Sequence, residues 1–162
     1  SNSHVHITGN CQFKTNKKND LTHIIVRCKS IIISDITFNM ENLYKTCRAI
    51  KIESTAKNPQ IINSTFKYCN IEGNEGNAIY IESLSGGQFY QNTSATIEGC
   101  LFENCGTFGW AVYSLENRLE YIRNIVTYTS NAKNQGGGGL YAVGGRIEKN
   151  TFEKSNFCSN FP

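Results

Sequence analysis

The sequence predicts an all-β chain folded as a parallel β-helix of about six coils. Three observations lead to this prediction. A nine-residue segment recurs six times among the 162 residues, a second strand-like segment lies between its copies, and no stretch shows the 3.6-residue apolar spacing of an amphipathic helix. Repeats that cannot bury an apolar face alone become stable by stacking on their neighbours, so the pattern is typical of a solenoid.

The nine-residue repeat is clearest in residues 97–105. Its copies begin at Thr8, Ile33, Ile61, Ile97, Ile122 and Ile147, which are 25, 28, 36, 25 and 25 residues apart. The sixth positions are Phe13, Phe38, Phe66, Phe102, Thr127 and Phe152. Since equivalent strands of neighbouring coils pair in register, we expect Ile97, Cys100 and Phe102 to line the interior and Glu98 to face outward.

The second repeated segment comprises residues 48–52, 77–81, 110–114 and 138–142, which align without gaps. Its period-two alternation is that of a strand with one buried face. The positions predicted to point inward are Ile50, Ile79, Val112 and Leu140, and those predicted to point outward are Lys51, Tyr80, Tyr113 and Tyr141.

Extra residues in a coil must leave as loops, because a shifted core position would turn its side chain to the wrong face. The 36-residue spacing therefore predicts an insertion at Ser83–Ser94. A turn with unusual backbone angles is expected at Gly136–Gly139. Asparagine tolerates left-handed conformations, so turns are also expected just after the phenylalanine strands, at Asn42, Asn70, Asn131 and Asn156.

Composition limits the function classes. Apolar residues make up 39% and charged ones 18% of a chain with a net charge of +3, which is typical of a globular domain. No apolar run reaches the length of a membrane span, and the cationic residues form no stripe, so we predict neither a membrane span nor nucleic-acid binding.

Residues 1–162 are interpreted as a single domain. Because the chain starts at Ser1 and shows no obvious cap, we expect a fragment or processed piece of a larger protein, with neighbouring coils or chains at the solenoid ends.

Two short motifs carry a resemblance to a known family. The segments 138–141, 76–79 and 109–112 resemble the GGA[ILV] tetrapeptide of polymorphic outer-membrane proteins. Their FxxN tetrapeptide is matched by residues 13–16 and, with Cys or Ser in place of Asn, by 66–69, 102–105 and 152–155. More broadly, the chain resembles the right-handed single-stranded parallel β-helix, or pectate-lyase-like, superfamily. The resemblance implies a secreted or surface-displayed scaffold, often an adhesin.

An enzymatic role is the alternative. Hydrolysis of a glycosidic bond needs two carboxylates about 5–10 Å apart, but Asp20 and Asp35 fall in different coils and no aspartate cluster suggests a Ca²⁺-dependent lyase. His4 and His6 would lie on the same face of a strand and, with His23 as a third imidazole, could bind a metal ion. A terminal His-x-His pair is, however, typically exposed to solvent and binds nothing. We predict no catalytic residue, metal or cofactor. A carbohydrate-active enzyme of the lyase or glycosidase type stays open.

Other repeated positions have structural interpretations. Glu98, Arg123 and Glu148 share one position in consecutive coils, which predicts a surface charge ladder. Cys69 and Cys105 share another, where stacked core thiols are favoured over a disulfide. Cys11 and Cys100 share a third, also predicted to face the core. None of the seven cysteines forms a CxxC or zinc pattern.

Aromatic residues provide the predicted binding site. Outward tyrosines at one-coil spacing would form a strip that can stack on sugar rings or anchor a protein. The candidate binding residues are Tyr80, Tyr113, Tyr141, Trp110, Phe89 and Tyr90. Asn63 and Asn92 begin N-glycosylation patterns.

We therefore predict a non-enzymatic, adhesin-like scaffold, extracellular or at the cell surface, that binds protein or glycan partners along its lateral face. Besides the enzyme, a third interpretation is an intracellular structural protein whose rod fills space between other subunits.

Overall fold

The computed structural model describes residues 4–8, 12–13, 21–28, 30–41, 47–70, 76–84, 93–106, 109–127, 138–153 and 157–159. In these ranges every regular element is a β-strand. The strands are β1 (His4–Thr8), β2 (Gln12–Phe13), β3 (Leu21–Val26), β4 (Ser30–Ser34), β5 (Thr37–Asn39), β6 (Cys47–Ile52), β7 (Gln60–Ile62), β8 (Thr65–Lys67), β9 (Ile79–Ile81), β10 (Ala95–Glu98), β11 (Leu101–Glu103), β12 (Trp110–Ser114), β13 (Leu119–Ile122), β14 (Ile125–Thr127), β15 (Gly138–Ala142), β16 (Gly145–Glu148), β17 (Thr151–Glu153) and β18 (Phe157–Ser159).

Each strand pairs in parallel with the strands three places before and after it. Sheet A contains β1, β4, β7, β10, β13 and β16, sheet B contains β2, β5, β8, β11, β14 and β17, and sheet C contains β3, β6, β9, β12, β15 and β18. The fully packed solenoid has about four turns, slightly fewer than the six coils predicted. In the first and last of the strand triplets, Ile7, Ile147 and Phe152 are only partly buried against the core.

The interior is lined by stacked identical or similar side chains. Ile33, Ile61 and Ile97 are paired in register and buried. The Phe38 and Phe66 rings stack with their centroids 5.1 Å apart, and Phe66 and Phe102 stack at 5.0 Å. Because the rings of successive coils lie directly over one another, these three phenylalanines pack as one continuous column. The interior positions predicted for Ile97, Cys100 and Phe102 are confirmed.

The register predicted for two coils is wrong by one residue. The structure pairs Ile7, not Thr8, with Ile33, and places Tyr121, not Ile122, beside Ile97. Likewise, Val126 rather than Thr127 pairs with Phe102. Tyr121 is fully buried, and its ring lies 6.3 Å from that of Phe102 and 6.4 Å from that of Phe152. The Tyr121 ring thus lies between the Phe102 and Phe152 rings in the coil where Val126 takes the phenylalanine position.

A single left-handed residue produces the bend between sheets A and B. It is Asp35, Asn63, Gly99, Arg123 or Lys149 in successive coils, with φ values of 58, 48, 64, 54 and 57°. Residues other than glycine rarely adopt this left-handed backbone conformation, which costs them about 1–2 kcal/mol because of their Cβ atom. The cost is offset because the amides of Asn63, Gly99 and Arg123 each donate to a carbonyl of the next coil at 2.9–3.1 Å.

The residue after the Asp35 bend is the buried Ile36. After the other four bends the residues point inward and form a polar ladder: Ser64, Cys100, Asn124 and Asn150. Asn124 Oδ1 accepts from the Cys100 amide at 2.9 Å, and its Nδ2 donates to the Ile97 carbonyl at 3.0 Å. Asn150 repeats this one coil later, accepting from the Asn124 amide at 2.8 Å and donating to the Tyr121 carbonyl at 2.7 Å. The carboxamides thus provide hydrogen-bond partners for main-chain groups that lie at the bend and have no partner within the sheets.

Two predicted turns are corrected. Gly138 and Gly139 lie within β15, not in a turn, and neither has a positive φ. Glycine is needed at 139 because a Cβ there would lie 2.8 Å from the Phe152 ring. After sheet B the left-handed residues are Tyr68 and Asn104, not Asn70, whose buried amide instead donates to the Asn104 carbonyl at 3.0 Å. Gly136, Asn42, Asn131 and Asn156 lie outside the described residues.

We expect Phe66→Ala to lower the free energy of unfolding by about 3–5 kcal/mol, because it removes the middle ring of a buried stack. Thr65→Ala, on the outer face of the same strand, is the matched control and should change it by less than about 0.5 kcal/mol. Urea denaturation followed by circular dichroism measures both. Equal losses from the two variants would contradict the assigned faces.

We expect Asn124→Ala to destabilise the fold by about 2–4 kcal/mol, because it leaves the buried Cys100 amide and Ile97 carbonyl without their partner. The exposed Asn117→Ala is the control and should have little effect. Amide hydrogen exchange provides a local readout, since the Cys100 amide should lose protection before its neighbours in β11. If that amide exchanges at the wild-type rate in Asn124→Ala, the ladder does not stabilise the bend.

Candidate functional site

The outer face of sheet C carries the aromatic row predicted from the sequence. Tyr80 pairs with Tyr113, and Tyr113 with Tyr141, on β9, β12 and β15. The same row continues through Lys51 and Ile25 on β6 and β3. The three tyrosines are half-buried, whereas Ile25 is 46% exposed. We call Tyr80, Tyr113 and Tyr141 the tyrosine row.

The rings of the tyrosine row stack face to face. The centroids of Tyr113 and Tyr141 are 4.4 Å apart with the ring planes 7° from parallel, and those of Tyr80 and Tyr113 are 5.8 Å apart at 18°. Both faces of Tyr113 are therefore covered by its neighbours. The row therefore presents ring edges to the outside.

The side chains of Arg48 and Trp110 flank the tyrosine row. The Arg48 guanidinium carbon lies 4.9 Å from the Tyr80 ring centroid, and its Nε donates to the Gly76 carbonyl at 2.7 Å. The ring centroids of Trp110 and Tyr141 are 5.9 Å apart, and the two ring planes are inclined by 51°. Arg48 is buried, so its contact with the ring is shielded from water and strengthened accordingly. Sequence reasoning missed Arg48, although a cation at the position equivalent to Trp110 was visible in the aligned segments.

Beyond Tyr80 the outer face is ionic. Lys51 Nζ lies 2.9 Å from a Glu82 carboxylate oxygen and 3.8 Å from Glu53, while Arg27 Nε donates to Glu53 at 2.7 Å. The hydrogen bond to Glu82 is the main cause that raises the pKa of Lys51. The hydrogen bond from Arg27 is the main cause that lowers the pKa of Glu53. The tyrosine row thus borders a surface network in which both signs of charge are paired.

Both ends of the predicted insertion are held by neighbouring coils. The buried Glu116 carboxylate accepts from the Leu84 amide at 2.8 Å and from the Arg118 amide at 3.1 Å. On the other side, Asn58 Oδ1 accepts from the Ser94 amide at 3.1 Å. The candidates Phe89, Tyr90 and Asn92 lie outside the described residues. Sequence reasoning missed both anchors, and nothing in their local sequence distinguishes them.

The predicted charge ladder is wrong in register. Glu98 and Glu148 both pair with Ile122, whereas Arg123 occupies the left-handed bend one residue later. Its guanidinium still forms an ion pair with Glu98, because a long side chain at the bend reaches back over the previous coil. Glu148 pairs instead with Arg146, and that hydrogen bond is the main cause lowering its pKa. In both ion pairs the arginine is exposed and the glutamate is half-buried.

The other residues identified from the sequence are cysteines, aspartates, histidines and the sequon residue Asn63. Cys69 and Cys105 are buried thiols that are not joined by a disulfide. Burial raises the pKa of the Cys100 thiol to about 12, so that thiol is not a nucleophile at neutral pH. Asp35 is exposed at a bend, and Asn63 is exposed at the equivalent bend one coil later. His6 is exposed. Cys11, Asp20 and the side chains of His4 and His23 lie outside the described residues.

Strand triplets wound into three parallel sheets define a parallel β-solenoid. The family model described as right-handed beta helix region matches residues 1–157. The chain therefore belongs to the right-handed β-helix family, which confirms the predicted fold class. No curated protein and no solved structure matches the chain. Within the described ranges there is no helix long and apolar enough to cross a membrane.

We expect Arg27→Met to raise the pKa of Glu53 toward that of an isolated glutamate, because the strongest hydrogen bond to the carboxylate is lost. A native-state pKa below the unfolded value contributes stability that is complete above the unfolded pKa and is lost as pH falls through the native one. The wild type should therefore lose more stability than Arg27→Met as the pH falls below about 4.5.

Carboxyl-detected NMR titration of Glu53 measures this change directly. Arg146→Met is the matched control, because it removes the partner of Glu148 and should leave Glu53 unaffected. An unchanged Glu53 titration in Arg27→Met would show that the hydrogen bond is absent in solution.

Proposed function

We propose that this chain is a non-enzymatic scaffold, displayed at a cell surface or secreted, that binds partners along the outer face of sheet C. The observation that carries the proposal is the tyrosine row itself. Three half-buried aromatic side chains stand in register on a rigid sheet, and preorganised aromatic residues give large contact area at little cost in side-chain entropy.

The stacking geometry supports a protein partner over a glycan stacked on the row. A sugar ring packs on an open aromatic face, but the faces of Tyr113 are occupied by Tyr80 and Tyr141. Ring edges carry the positive part of the aromatic quadrupole and pack well against aromatic faces and carbonyl oxygens of another protein. Trp110, tilted away from Tyr141, provides an adjoining apolar surface.

The described carboxylates support binding over hydrolysis. Glu53, Glu82, Glu98, Glu103 and Glu148 each form an ion pair with a lysine or arginine. At Glu53 and Glu148 the hydrogen bond from an arginine lowers the pKa of the carboxyl group, which is opposite to what a general acid requires near neutral pH. The surface or secreted location is supported by the resemblance to displayed passengers and by the sequons at Asn63 and Asn92.

The test is a binding screen of the purified chain against panels of extracellular proteins and of glycans. For every hit, Tyr113→Ala should weaken binding about tenfold or more, because it removes the central ring of the row. Tyr113→Phe keeps the ring and should retain most of the affinity. Thr96→Ala, on the outer face of sheet A, is the control for a distant surface and should have no effect.

Circular dichroism of each variant separates loss of contact from loss of fold. Affinities that Tyr113→Ala leaves unchanged, or that Thr96→Ala reduces equally, would overturn the proposed site. Mass spectrometry of Asn63 and Asn92 in the native source tests the location, since N-glycans are added only in the secretory pathway.

A further inference from the structure

The geometry of Tyr113 and Tyr141 points to a second property, which does not depend on the binding proposed above. Their rings are the closest aromatic pair among the described residues, with centroids 4.4 Å apart and planes 7° from parallel. They lie on neighbouring strands that pair in register, Tyr113 opposite Tyr141. Both side chains are partly exposed, so a soluble oxidant can reach them.

We infer that Tyr113 and Tyr141 are a site of oxidative cross-linking, at which a one-electron oxidant joins the two rings as dityrosine. A haem peroxidase with hydrogen peroxide is the class of oxidant required. Each phenol gives up one electron and its phenolic proton and becomes a phenoxyl radical. The two radicals then form a carbon–carbon bond between the ring positions next to the oxygens. The two hydrogens on those carbons move to the oxygens and restore both phenols.

The reaction balances without any further reactant. The two tyrosines lose two hydrogens in total, and one molecule of hydrogen peroxide takes them up to give two molecules of water. The protein contributes position. Parallel rings at this distance have their carbon atoms close to van der Waals contact, and holding reactants in a near-attack geometry replaces an encounter between molecules by a step within one molecule.

The geometry of the neighbouring tyrosines predicts that coupling is selective for this pair. Tyr80 lies in the same row but its ring centroid is 5.8 Å from that of Tyr113, with the planes 18° from parallel. Tyr121 is fully buried, and burial raises the pKa of its phenol well above the usual value, so loss of its proton is disfavoured. The bridge between Tyr113 and Tyr141 should therefore predominate and would link β12 covalently to β15.

The experiment treats the purified chain, at micromolar concentration, with peroxidase and limiting hydrogen peroxide. Digestion with trypsin and a glutamate-specific protease then separates the relevant tyrosines, because residues 76–82, 104–116 and 134–146 are released as peptides that each contain one of them. The expected product joins 104–116 to 134–146 with a mass lower by two hydrogens. It should be several-fold more abundant than a product joining 76–82 to 104–116, and the oxidised protein should have a higher denaturation midpoint.

Conservative variants supply the controls. Tyr113→Phe and Tyr141→Phe each lose one oxygen and should abolish the bridge, while Tyr80→Phe should leave it intact. The inference is overturned if the cross-links are only between molecules, if all tyrosine pairs react equally, or if no bridge forms under conditions that couple N-acetyltyrosine. Loss of the bridge in Tyr80→Phe would also overturn it, since Tyr80 is not one of the two coupled rings.

Discussion

The vertical stacking of coils, fixed by one left-handed residue at each bend from sheet A to sheet B, is the constraint on which the rest of the molecule depends. If that residue were displaced by one position, every side chain after it would exchange the interior for the surface. The bend amides bind the next coil, so each bend is positioned by its neighbours rather than by its own sequence. This explains why residues as different as Asp35, Gly99 and Lys149 occupy it.

The fold was predictable because its main determinant is repetition. Recurrence of phenylalanine and of alternating strands is enough to identify a parallel β-helix, and the tyrosine row follows from the same alignment. The register was predictable only where repeats resemble one another. In the coil containing Tyr121 the choice between adjacent positions depends on how a ring fits between Phe102 and Phe152, which is a property of the packed core. The bends were missed because their backbone conformation, not their residue type, is repeated.

The candidate site shows a similar division. The sequence predicts which residues share the outer row, since this depends on periodicity alone. It does not predict ring orientation, and the mutual stacking of the rings changes what the surface can bind. Nor does it predict that Arg48 covers the end of the row or that Glu116 and Asn58 hold the insertion, because each contact depends on the conformation of a side chain and not on the repeat spacing.

The amide ladder gives the solenoid a direction. Ser64, Asn124 and Asn150 all reach toward the preceding coil: Ser64 accepts from the Ile36 amide, and the two asparagines bind main-chain groups of the coil before their own. Each coil is therefore completed by the one that follows it in the chain. Within the ladder, loss of the coil on the C-terminal side would leave main-chain groups of a bend without partners, whereas loss of the coil on the N-terminal side would leave side-chain groups without them. The rod is thus asymmetric in how it unravels, even though its sheets repeat almost uniformly along its length.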